Sequence, residues 1–140
     1  MRMFLIALAV AVPAAAPAQL MQPGQWEITS TITSIKGNLP PSVMASMKGR
    51  PNVIRQCITP AQAAQGPRDI MKARPDCKFD KFTMSGGKYA SQMQCKDMRV
   101  SATGNYTPVS MAATATMVMT GQMALTMTSN TKGRRIGACK

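Results

Sequence analysis

The residues with chemistry to offer are four cysteines, a run of methionines and five scattered carboxylates, and no histidine accompanies them. The cysteines are Cys57, Cys77, Cys95 and Cys139. None forms a Cys-x-x-Cys pair, so zinc-type ligation has little support. An even count in a small chain reads instead as two disulfides, each contributing roughly 2–4 kcal/mol. The acids Glu27, Asp69, Asp76, Asp80 and Asp97 place no spaced pair on one predicted face. Without histidine there is no ordinary Ser-His or Cys-His nucleophile, and oxidised cysteines supply no thiolate. No glycine-rich phosphate loop follows a strand and opens a helix. Enzymes need a positioned acid or base. The expectation is therefore no catalytic residues, no resident cofactor and no enzyme.

Methionine is the unusual abundance, with 14 residues in the chain. Thioether sulfur is a soft ligand that suits Cu(I). Met117, Met119, Met123 and Met127 define the alternative copper-handling face. The ordinary role of such a row is to fill irregular core space. Between these lies a third possibility, a Met-lined cavity that holds an apolar ligand.

These side chains must be positioned by strands. From Met111 to Thr128, the odd positions carry Met111, Ala113, Ala115, Met117, Met119, Met123, Leu125 and Met127, and Thr114, Thr116, Thr126 and Thr128 fall on even ones. A period of two is the strand signature. A hairpin with Met119 opposite Met123 pairs Met117 with Leu125, Ala115 with Met127, Thr116 with Thr126 and Thr114 with Thr128. Gly121 lies in its three-residue loop. Residues 25–35 form another strand, with Trp26, Ile28 and Ile32 on one face. Trp26, the single tryptophan, is the expected core anchor. Pro41 opens a short helix that Gly49 stops, or the segment is a mobile loop, since Pro51 follows at once; residues 53–58 form a strand. Thr59 caps a second helix, with Pro60 in its first turn. Residues 68–74 form a further turn.

Ser85-Gly86-Gly87 turns a hairpin between residues 78–84 and 88–96, pairing Met84 with Tyr89, Phe82 with Ser91 and Asp80 with Met93. In that register Cys77 and Cys95 point to opposite faces and do not bond to each other. The preferred pairs are then Cys57–Cys77 and Cys95–Cys139; Cys57–Cys95 with Cys77–Cys139 is the other possibility. Residues 99–106 form a strand, 130–135 a turn, and 136–140 end the chain. The sum is a mainly β fold: an antiparallel sandwich or partly open barrel with a short helical insert and two disulfides.

Arg2 precedes an apolar run over residues 4–12, and Ala16-Pro17-Ala18 matches a leader cleavage pattern. The run is too short to span a bilayer. Residues 1–18 are thus expected to be a cleaved signal peptide and 19–140 a single β-rich domain, soluble and periplasmic, with no transmembrane segment. Loss of Arg2 leaves 16 basic residues against 5 acidic, a net charge of +11. That balance favours an anionic envelope component over nucleic acid, although the cations are dispersed as in an ordinary solvated surface.

Several short segments occur together in a characteristic order. They are Pro23-Gly24-Gln25-Trp26-Glu27-Ile28, Cys57-Ile58-Thr59-Pro60-Ala61-Gln62-Ala63, Asp76-Cys77, Ser85-Gly86-Gly87 with Cys95, and Gly133-Arg134-Arg135-Ile136-Gly137-Ala138-Cys139. This ordered set resembles the small exported proteins of Gram-negative bacteria grouped as domain of unknown function 3617. The resemblance covers essentially the whole chain after the leader. It implies a periplasmic location and supplies no catalytic residues. The functional expectation is a non-catalytic binding or envelope-associated domain for a small apolar or anionic ligand.

Overall fold

The computed structural model describes residues 20–68 and 75–140. The signal peptide expected over 1–18 and most of the turn expected over 68–74 lie outside the described residues. Seven strands form one antiparallel sheet: β1 (Gly24–Gly37), β2 (Pro51–Ile58), β3 (Lys78–Ser85), β4 (Lys88–Gln94), β5 (Met98–Tyr106), β6 (Ser110–Met119) and β7 (Leu125–Gly137). Two short helices, α1 (Pro41–Met47) and α2 (Pro60–Gln65), flank β2. The sheet order is β2-β1-β7-β6-β5-β4-β3, so β7 joins the β1–β2 hairpin to a four-stranded meander. The expected antiparallel, mainly β fold is observed as one open seven-stranded sheet.

Side-chain alternation gives the sheet an apolar and a polar face. Trp26, Ile28, Met93, Met111 and Leu125 are buried on the first. Threonine, lysine and arginine dominate the second. The apolar face holds two clusters. One comprises Met21, Trp26, Ile58, Ala63 and Met111, with Tyr106 packed against it. Trp26 is fully buried and its Nε1–H donates to the Gln22 carbonyl at 3.0 Å. α2 delivers Ala63 to this cluster. Its start is fixed by a reciprocal cap: Thr59 Oγ1 accepts from the Gln62 N–H, and Gln62 Oε1 accepts from the Thr59 N–H. The other cluster comprises Cys77, Met93, Cys95 and Met98, with Phe79, Val100, Met117 and Met119 against it.

Three sequence expectations are corrected. The disulfides are Cys57–Cys139 and Cys77–Cys95, with Cα–Cα separations of 5.4 and 4.1 Å. The preferred pairs Cys57–Cys77 and Cys95–Cys139 do not form. The cause is a bulge in β3: Phe79 pairs with Met93 but Lys81 pairs with Gln92, leaving Asp80 as an extra residue. Beyond it the register is offset by one, and Lys78 faces Gln94 instead of Cys95. Cys77 thereby falls opposite Cys95.

The Met/Thr hairpin forms with its loop two residues longer than expected. Met119 faces Leu125, Met117 faces Met127 and Thr116 faces Thr128. An even shift preserves both faces, which is why the alternation itself was sound. The Thr120 N–H bonds to the Asp97 carbonyl and the Asn38 N–H to the Ala124 carbonyl, holding the loop ends to neighbouring segments.

Residues 130–135 are not a turn but the middle of β7. Gly133 serves space there instead of bending: a Cβ on it would stand 2.7 Å from Met111 Cγ and 3.2 Å from Met111 Sδ.

Candidate functional site

The centre of the apolar face is built from small residues. In one cross-strand row Ser91, Ala102, Ala115 and Ser129 stand side by side on β4, β5, β6 and β7. In the next row the corresponding residues are Gly104, Ala113, Thr131 and, on β1, Ser30. Larger residues flank both. On one side run Met93, Val100, Met117, Met127 and Ile35. On the other run Tyr106, Met111, Ile28 and Ile54, with Gly133 between Met111 and Ile28. Cross-strand neighbours on one face lie within contact distance. Two small rows between two large ones therefore leave a hollow.

That hollow is a cavity of about 250 Å³. All seven strands contribute to its wall, including Ile54 on edge strand β2 and Phe79 on edge strand β3. A sheet whose two edges line one cavity is curled around it. None of the lining residues carries a charge. At the β3 edge Phe79 and Phe82 meet edge to face at 5.5 Å. The Arg68 guanidinium lies 5.7 and 5.9 Å from their ring centres.

The polar side chains of the wall are Ser30, Gln56, Tyr89, Ser91 and Thr131. Ser30 Oγ and Thr131 Oγ1 share one hydrogen bond at 2.8 Å. Tyr89 is only 4% exposed, and its hydroxyl is the buried side-chain polar atom without a hydrogen-bond partner among the described residues. Burial pushes its pKa up to about 12, so the phenol is neutral and keeps its proton. Its ring reaches across Gly104 on β5: a Cβ there would stand 2.7 Å from Cε1 and Cζ.

The polar face carries broader, more open grooves. One of them, about 540 Å³, runs past Glu27, Lys132 and Arg134. Its acid is already engaged. Glu27 pairs directly with Arg55 on β2 and Arg134 on β7. Each guanidinium donates through Nε and Nη2 to one carboxylate oxygen, at 2.8–3.2 Å. The hydrogen bonds from Arg134, then those from Arg55, hold the Glu27 carboxyl below its ordinary pKa. This arrangement is a cross-strand ion triad that fixes β2, β1 and β7.

The structure divides the expected copper face. Met117 and Met127 are register partners, and Met119 lies two residues from Met117 on the same side. Met123 instead lies in the β6–β7 loop and is 55% exposed, so strand pairing does not bring it to the other three. Met117 and Met119 pack against the Cys77–Cys95 cluster. Sequence reasoning did not single out Tyr89 or the small rows. Their signal was the pairing of Ser91 with Ala102 and of Tyr89 with Gly104, which a register for β4 against β5 would have exposed.

Among the described residues no helix is long and apolar enough to cross a membrane. No solved structure matches the chain. A Pseudomonas putida protein, described as an uncharacterized protein in the lpd-3 5′ region, is 27% identical across 68% of this chain and 85% of its own length. The model of the family described as Protein of unknown function (DUF3617) matches residues 21–139, and the chain belongs to that family.

Proposed function

We propose that the protein is a non-catalytic binding domain for a small apolar molecule, held in the cavity on the apolar face. One observation carries this reading: an uncharged cavity of about 250 Å³ walled by residues from all seven strands. An apolar cavity of roughly 150 Å³ is enough to hold benzene. The space here suits a guest of about ten heavy atoms. An anionic ligand has weaker support, since Arg134 in the polar groove is shared with Glu27. Cu(I) has weaker support too, since Met123 stands apart from Met117, Met119 and Met127. The apolar leader over residues 4–12 and the two disulfides support a periplasmic setting.

Isothermal titration with tetralin tests the proposal. Wild-type protein is expected to bind it. Ala115→Leu, which fills the small row, is expected to weaken binding by at least about tenfold, equivalent to roughly 1.4 kcal/mol. Its melting temperature should stay close to wild type. No binding to wild type, or equal binding to the filled variant, would reject the cavity as the site.

A further inference from the structure

The cavity wall holds one unmet hydrogen-bonding demand. Tyr89 Oη is buried and unpartnered, on a side chain that lines the cavity. The ring end that bears it already extends beyond β4 over Gly104, toward Ala113 on β6. A buried hydroxyl without a partner has lost its water and gained nothing in exchange. A guest that accepts from it recovers that loss, and a purely apolar guest does not.

The wall also restricts the acceptor. It contains no cation, so a buried carboxylate or phosphate would lack compensation. A guest hydroxyl or amide would bring a further proton, which only the Ser30, Gln56, Ser91 or Thr131 oxygens of the wall could accept. A carbonyl oxygen brings acceptor capacity alone.

Resting on the cavity reading above, we propose that the guest is a neutral, apolar molecule of about ten heavy atoms bearing one ketone or ester carbonyl, which accepts a hydrogen bond from Tyr89. Tyr89 then discriminates among apolar guests by their oxygen, and the small rows select them by size.

Tetralin and 1-tetralone share a carbon skeleton and differ by one carbonyl oxygen. Each is titrated calorimetrically into wild type and Tyr89→Phe. Wild type should bind 1-tetralone more tightly than tetralin. The substitution should weaken 1-tetralone about tenfold and leave tetralin within about twofold. Removing an unsatisfied hydroxyl should leave the melting temperature unchanged or raised; a clear fall would show that the hydroxyl was already partnered, overturning the inference. Equal affinity of 1-tetralone for both proteins would also overturn the role of Tyr89 while leaving the apolar site standing. Failure of both compounds to bind wild type would remove the site itself. A second readout needs no variant: 1-tetralone, but not tetralin, should shift the tyrosine absorption band of wild type. Identical spectra with both would count against the hydrogen bond.

Discussion

The Tyr89 ring occupies the space that a side chain on Gly104 would fill, with Cε1 and Cζ 2.7 Å from the missing Cβ. The Ala112 carbonyl crowds the same point from β6. Gly104→Ala therefore meets both an aromatic ring and a backbone oxygen. Overpacking of this kind costs about 1–3 kcal/mol. Equilibrium urea unfolding should show that loss, and a neutral result would mean that β5 shifts freely beneath the ring.

Gly133 makes the milder version of this contact, because its neighbour is the flexible end of Met111. Gly133→Ala should cost about 1 kcal/mol. Met111→Ala alone should cost about 2–5 kcal/mol through the cavity it leaves. The double variant should be more stable than the two losses added together, since the new methyl enters the vacated space. Strict additivity in a double-mutant cycle would show that Met111 is not what excludes a side chain at Gly133.

The two disulfides close loops of very different length, with sequence separations of 82 and 18 residues. Loop entropy then assigns about 4–5 kcal/mol to Cys57–Cys139 and about 3 kcal/mol to Cys77–Cys95. Paired Cys→Ser variants should follow that order in chemical denaturation. A non-reducing peptide map should link Cys77 to Cys95, and finding Cys57 joined to Cys77 would refute the β3 bulge.

Glu27 makes stability depend on pH. Its carboxyl pKa is lowered in the folded state, first by Arg134 and then by Arg55. A lowered carboxyl pKa gives stabilisation that is complete above the unfolded value and lost as pH falls through the folded one. Wild type should thus melt above Glu27→Gln at pH 7, and the gap should close in acid. Both arginines are mostly exposed, at 66% and 71%, so high salt should narrow the gap as well. A gap that persists at low pH would assign the effect to packing instead of charge.

Much of this architecture was legible because alternation survives errors of register. Thr116 and Met117 take the faces their period assigned although the β6–β7 loop was misjudged by two residues. Met123 misled because its apolar side chain extends the strand pattern into a loop. Gly133 misled because a glycine reads as a bend when it can equally be a gap for Met111. The Asp80 bulge did leave a trace: Phe79 and Phe82 are three apart, and both can join one apolar face only if an extra residue intervenes. The cavity left no trace along the chain. Ser91, Ala102 and Ala115 belong to three strands, and their smallness matters only once they are neighbours.

β7, the last of the seven strands in chain order, lies in the interior of the sheet. Before β7 docks, the chain holds a two-stranded hairpin and a four-stranded meander with no shared strand. Ser30 belongs to the first, while Gly104 and Ala113 belong to the second. Gln25 meets Gly137 across nearly the whole chain, and pairing at such separation is a slow step in folding. A nascent or shortened chain lacking β7 can make either part, but it has no pocket to offer and no partner thiol for Cys57. The hollow between the small rows is thus built only when the whole sheet exists.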